Sequence, residues 1–349
     1  MGINFKNKGV KAPLEGFMVW LDNSRIIAIF AVVLLHISAR VVIQSDIGTT
    51  HWWIGNIYDS LVRWCVPVFV MISGALLLDP SKKEDLKTFY LKRLSRILIP
   101  LIFWSAFFLL FANLQNIIQG EPLPILEWAQ IILSGRPYYH MWFLYMIIIL
   151  YLFTPFFRKI VANSSKNEIS ILVLLTLTIS ALNSFLLPES NIFINWFLSY
   201  TPYFFLGYLI KEDQSDYPSP ILWGVFLASI ILTAAGCYVV AIKEGLEAGL
   251  YFYHYLSVTV IPMSISAFYL LKKLTKPIGS MALTKKIAAL ILGVYLVHPI
   301  LINIINSAGY GPLNFHPLVS IPVITVVVFS LSLIAAWLIN TVPYLKRVI

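Results

Sequence analysis

Apolar residues in this chain come in long runs and polar residues in short clusters between them, a pattern that predicts ten membrane-spanning helices. Their expected limits are 20–44, 54–78, 89–114, 138–158, 168–187, 194–211, 219–241, 250–271, 285–306 and 317–343. Each is long enough for about 30 Å of hydrocarbon, the sixth only just. The third, fifth and tenth are the plainest; the fourth and sixth carry Tyr, Pro and Gly and are expected to bend or break. The polar stretch Lys211–Pro220 ends one helix and starts the next. Segment 115–137, the longest between spans, is expected outside the membrane as a short interfacial helix. Residues 1–349 read as one all-α, polytopic transmembrane domain, with 1–19 as an N-terminal segment and 344–349 as a tail. The first run lacks a small-residue cleavage pattern, so no signal peptide is expected.

Composition agrees. The chain is 59% hydrophobic and 12% charged, about half the charge of a soluble globule. The net charge of +9 raises nucleic acid as a partner, but its distribution gives a simpler account. Twenty of the 25 basic residues fall on one side of the predicted spans, in clusters such as Lys82 to Arg96 and Lys272 to Lys286. The other side holds only Arg136 and Lys243, while Arg25, Arg40 and Arg63 lie within spans. The basic charge is therefore a topology signal that puts both termini in the cytoplasm, and nucleic acid is not expected. Cys65 and Cys237 sit in apolar runs and read as buried thiols. The clusters around Trp52–Trp53 and Tyr138–Tyr139 fit an interfacial aromatic belt on the outer side.

Polar residues inside the spans carry the candidate chemistry. His36 follows Arg25 by eleven positions with almost wholly apolar residues between. Eleven steps of about 100° overshoot three turns by about 20°, so the two share one helical stripe, separated axially by roughly 16 Å. Alone, Arg25 reads as a snorkelling residue and His36 as a satisfied bundle histidine; together they define a candidate site. Asp22, three residues before Arg25, is placed to orient its guanidinium. Arg93 and Arg96 are neighbours on one helical face, suited to clamping phosphate or decorating the basic side. Arg63 lies deeper, with Asp59 one turn away as a partner. His298 precedes Pro299, which frees a backbone carbonyl and suits a cavity wall. No histidines have metal-ligand spacing, so no metal is expected. Ser73 and Gly74 read as small helix-packing residues rather than a nucleophile.

The Arg25–His36 segment resembles the first-helix signature of the integral-membrane acyltransferase-3 family. Phe69-Val-Met-Ile-Ser-Gly74, Arg93-Leu-Ser-Arg96, His140-Met-Trp142-Phe-Leu144, Pro202-Tyr203-Phe-Phe-Leu-Gly207 and Tyr295-Leu-Val-His298-Pro resemble its later signatures in order. The likeness spans about 20–343 and is to the stand-alone branch, within it to O-acetyltransferases of the enterobacterial common antigen and related surface polysaccharides. Ala75 departs from it, where the family often has an aromatic. The resemblance implies transfer of an acyl group, usually acetyl and sometimes succinyl, from cytoplasmic acyl-CoA to a hydroxyl of an extracytoplasmic glycan. The implied protein is multi-pass in the bacterial inner membrane, with acetyl-CoA as co-substrate and a polysaccharide or lipid-linked glycan as acceptor.

Both lines assign His36 as general base, assisted by Arg25 and Asp22, and Arg93, Arg96 and Arg25 as the CoA-phosphate site. Arg63, His140, Trp142, Tyr203, Tyr295 and His298 are the candidate cavity residues, with Arg63, Tyr295 and His298 placed to stabilise an oxyanion. Direct transfer and an acyl-histidine intermediate both remain open. A transporter or flippase of a lipid-linked glycan is the alternative class, recognisable by transport without release of CoA.

Overall fold

The computed structural model describes residues 14–82, 84–118, 120, 124–186 and 193–349. Most of the expected N-terminal segment 1–19 lies outside the described residues, and α1 (Leu14–Gln44) starts before the predicted position 20. The helices that follow are α2 (Thr50–Val62), α3 (Cys65–Leu77), α4 (Leu86–Ile118) and α5 (Ile125–Leu133). Then come α6 (Trp142–Asn163), α7 (Lys166–Leu186), α8 (Phe193–Glu212) and α9 (Ser219–Glu244). A one-turn α10 (Leu246–Gly249), a 3₁₀ turn at Leu250–Tyr253, α11 (Val260–Lys272), α12 (Met281–Ser307) and α13 (Pro317–Thr341) complete the fold. Among the described residues there is no strand, and eight helical segments are long and apolar enough to cross a membrane. This is an all-α polytopic membrane protein.

The breaks fall in other places than the Pro and Gly content predicts. α6 and α8 run uninterrupted through Pro155 and Pro202. The second span instead divides at Arg63–Trp64 into α2 and α3. The expected eighth span, 250–271, is not one helix. Only α11 is regular there, and its 13 residues cover about 20 Å, short of the hydrocarbon thickness. Irregular backbone at membrane depth is tolerated where it lines a cavity, and residues 253–256 do so. α8, about 30 Å long by its 20 residues, packs on α3, α6 and α7, and such enclosure relaxes the demand for apolarity.

α1 is central, packing on α2, α3, α11, α12 and α13. Its apolar window is 67% buried and that of α2–α3 72%, whereas α7, α9 and α13 face outward and stay a third buried or less. Exposed Ile179, Leu232 and Val326 on those outer helices are the lipid-facing surface that a membrane span requires.

α3 and α8 cross in close backbone contact. A Cβ at Gly74 would sit 1.8 Å from the Phe204 carbonyl oxygen, and one at Gly207 would sit 1.9 Å from that of Met71. Two reciprocal glycines thus put backbone against backbone, the small-residue packing expected of Gly74.

The basic loops meet at one end. Arg158 Nε donates to the Leu77 carbonyl at 2.5 Å, Lys211 pairs with Asp79 at 3.0 Å and Lys166 donates to the Glu212 carbonyl at 3.1 Å. Lys272 holds the Ile210 and Asp213 carbonyls, and Asn23 on α1 holds those of Leu274 and Lys276. Burial alone would raise the Asp79 carboxyl, but hydrogen bonds from Ser81 and Lys211 outweigh it and hold it at about 2. At the opposite end, Trp52 is fully buried against Tyr238 rather than placed in an interfacial belt, because α2 folds it against α9. Cys65 and Cys237 are buried free thiols.

Gly74→Val should destabilise the protein by at least about 1–3 kcal/mol, because a backbone carbonyl cannot move aside. Gly224→Ala, with open space around the Cβ, should be neutral or slightly stabilising. Thermal unfolding and monodispersity in detergent compare the two.

Candidate active site

The stripe on α1 forms one wall of a cavity of about 250 Å³ that carries both Arg25 and His36. α3 contributes Val66 and Phe69, α6 contributes Trp142, Phe143 and Leu144, and α12 contributes Tyr295 and the small Ala288 and Ala289. Asp22 accepts a hydrogen bond from Arg25 Nη1 at 3.1 Å, the i, i+3 pairing anticipated on this face. His36 has no hydrogen-bond partner among the described residues.

Three histidines far apart in sequence meet at the His36 end. The His298 ring stacks on His36 with centroids 5.3 Å apart, and His140 meets His298 edge-on at 5.5 Å. Tyr139 covers His36 at 4.9 Å, and Tyr295 lies 5.1 Å from His140. His140 and His298 are buried, His298 completely, so His298 stands behind the cavity wall rather than on it. The Tyr295 hydroxyl donates to the His140 carbonyl, tying α12 to the turn before α6. Among the described residues no group of three His, Cys, Asp or Glu converges as a set of metal ligands.

A second cavity of about 550 Å³ opens toward the other end of the bundle. Trp142 and Tyr255 line both cavities and stack on each other, with centroids 5.8 Å apart and planes 22° apart. Trp196, Tyr200 and Tyr253 supply further aromatic faces, and Ser180, Asn183, Ser184 and His254 supply polar groups. Aromatic faces beside hydroxyl and amide groups suit a flat, hydroxylated ligand. Arg136 lies 4.8 Å over the Trp196 ring at its edge.

Arg63, at the break between α2 and α3, faces this second cavity. Its Nε and Nη2 both reach Asp59 Oδ1, its Nη1 donates to the Tyr253 carbonyl at 3.3 Å, and its guanidinium covers the Tyr253 ring at 4.1 Å. Tyr203, which sequence reasoning put on a cavity wall, is fully buried; its hydroxyl donates to the Tyr255 carbonyl at 2.7 Å. It positions the irregular segment from behind.

Arg25 lies on the 250 Å³ cavity, whereas Arg93 and Arg96 are on α4, which packs mainly on α6. Arg93 is half-buried, near Glu84 and Arg158, with its Nε unpartnered; Arg96 is exposed.

Sequence reasoning did not assign Arg40, Tyr139, Trp196 or Tyr255 to the site. Arg40 donates to Asn303 Oδ1 at 2.6 Å, and Asn303 donates to the Tyr138 hydroxyl at 2.5 Å, closing the His36 end against α12. Its position four residues after His36, on the same helical face, was the available signal. Tyr255 gave none, because its segment reads as a continuous span.

The acyltransferase-3 family model, described as an acyltransferase domain, matches residues 18–341. The chain belongs to this family and is a membrane acyltransferase. No curated protein and no solved structure matches it.

Asp59→Asn would leave the buried Arg63 guanidinium without its counter-charge and should cost about 3–5 kcal/mol. Arg63→Gln in the same protein should recover part of that loss. Thermal unfolding of the single and double variants in detergent measures both effects.

Proposed function

We propose that this protein transfers an acetyl group from cytoplasmic acetyl-CoA to a hydroxyl of a surface polysaccharide or its lipid-linked precursor, across the bacterial inner membrane. The observation that carries this reading is the pair of cavities. One holds Arg25 and His36 along a single helix, the other opens to the opposite end, and the two share Trp142 and Tyr255. Donor and acceptor can thus approach from different sides and meet near His36. The gathering of the basic loops at one end supports a cytoplasmic assignment for that end and for both termini.

In this reading the CoA phosphates meet Arg93, Arg96 and Arg25 at the basic end. The roughly 16 Å between Arg25 and His36 is comparable with the length of a pantetheine arm. A sugar enters over Trp142, Trp196 and Tyr255, and its hydroxyl attacks the thioester carbonyl while His36 removes the proton. Asp22 holds Arg25 in place. Tyr295 and Arg63 already have partners, so His140, on the cavity wall with both nitrogens uncommitted, is assigned as a donor to the developing oxyanion. The choice of acetyl over succinyl rests on the family resemblance, in which acetyl is the usual group. The choice of a surface polysaccharide rests on the family resemblance and on the aromatic, hydroxyl-lined second cavity.

The test uses purified protein in lipid nanodiscs with labelled acetyl-CoA and a lipid-linked glycan extract. His36→Ala should lower acetyl transfer by about 10²–10⁴-fold, and full activity would overturn the base assignment. Glycan movement without release of CoA would instead support a flippase.

Arg93→Ala combined with Arg96→Ala should raise the KM for acetyl-CoA with little change in kcat. An effect confined to the acceptor would contradict the phosphate clamp, and steady-state kinetics with each substrate varied in turn decides.

A further inference from the structure

His298 has hydrogen-bonding capacity that the reaction outlined above does not use. Its Nδ1 lies 3.1 Å from the Val294 carbonyl oxygen. A carbonyl oxygen only accepts, so Nδ1 carries the proton and Nε2 presents a lone pair. That Nε2 is buried without a hydrogen-bond partner, as are both nitrogens of His140. Buried polar atoms without partners are uncommon in folded proteins, and several together mark a place for an ordered water or a reacting group. Pro299 follows directly and cannot donate to the Tyr295 carbonyl, which the His298 ring also approaches.

The surroundings of His36 determine what this lone pair can do. No Asp or Glu lines the His36 cavity. Asp59, the carboxylate in the neighbouring α2, is engaged by Arg63. Other polar groups around the cluster include Tyr138, Tyr139, Tyr255, Tyr295, Arg25, Arg40 and Arg63, and none of them accepts a proton readily. A histidine base is usually supported by a carboxylate on its second nitrogen. Here the neutral ring of His298, stacked on His36 with its Nδ1 already committed to Val294, presents Nε2 as a proton acceptor.

We propose that His298 is a positioning residue that acts through His36. A water at the edges of the two stacked rings, against His140, passes the proton removed from the acceptor hydroxyl on to His298 Nε2. The hydroxyl O–H bond breaks and its oxygen forms the new ester bond. The C–S bond breaks, its electron pair leaves on sulfur, and the stored proton returns through the water and His36 to give the CoA thiol. No group is oxidised or reduced. The role rests on the acetyl-transfer reading above and adds to it where the proton is held between attack and departure of the thiolate.

Two measurements test it. Solid-state ¹⁵N NMR of histidine-labelled protein in lipid vesicles has six histidines to resolve, and the His298→Asn spectrum assigns His298. The expected result is an Nδ1–H tautomer with water contact at Nε2. An Nε2–H tautomer, or an Nε2 shielded from water, overturns the relay. The second measurement is acetyl transfer from labelled acetyl-CoA to the lipid-linked glycan extract by His298→Asn and His298→Gln. Asn keeps a donor for the Val294 carbonyl and Gln keeps an acceptor near Nε2, but neither holds a proton. Both should lose about a hundredfold or more in kcat, with the KM for acetyl-CoA unchanged. The solvent-deuterium proton inventory should change from curved in the wild type to linear in both variants. Wild-type kcat in His298→Gln, or a loss of rate with the curvature intact, overturns the proposal. Absence of acetyl transfer by the wild type would defeat the function proposed above, while the NMR result would still decide the geometry of the relay.

Discussion

Arg63 holds together two places where this membrane protein departs from regular helix. It sits at the break between α2 and α3, pairs with Asp59 one turn earlier, and donates to the carbonyl of Tyr253 where the expected eighth span loses its helical form. Hydrocarbon offers no water to satisfy exposed backbone groups, so each break needs a protein partner. Arg63 supplies one for the Tyr253 carbonyl and Tyr203 another for that of Tyr255. The cost of burying the guanidinium is offset by Asp59 and by the Tyr253 ring.

The cavities follow from those breaks. Irregular backbone at 253–256 cannot pack as closely as helix, and it gives the larger cavity its wall and its aromatic side chains. Tyr255 leaves that segment to stack on Trp142, and the stacked pair is where the larger cavity meets the smaller one on α1. The reciprocal glycines of α3 and α8 fix the other side, since their backbone contact sets the positions of Phe69 on the cavity wall and of Tyr203 behind it. Most of the site is therefore placed by packing between helices, while α1 and α12 each carry two of its elements in fixed register.

Much of the architecture was legible in the chain. Apolar runs locate most of the spans because about 20 apolar residues have few other uses. The Asp22–Arg25 and Asp59–Arg63 pairs were legible because spacings of three and four residues are contacts on any helix. Gly74 announced a close crossing, although not its partner Gly207. The eighth span was misread because hydropathy measures how apolar a segment is, and a cavity wall rich in Tyr and Leu is as apolar as a helix facing lipid. Trp52 was misread for a related reason, since an aromatic near a span end suits the interface and the protein core equally well.

The sequence by itself determined an all-α membrane protein with its basic loops gathered at one end and an arginine and a histidine on one stripe of its first helix. These are local properties, set by run length, by helical period and by the cost of charge in hydrocarbon. Only the tertiary structure decided that His36 meets His140 and His298, that Tyr203 stands behind the site, and that Arg93 and Arg96 lie on a helix that packs mainly on α6 rather than α1. Those relations join residues on different helices, and no periodicity along the chain encodes which helix faces are buried against one another.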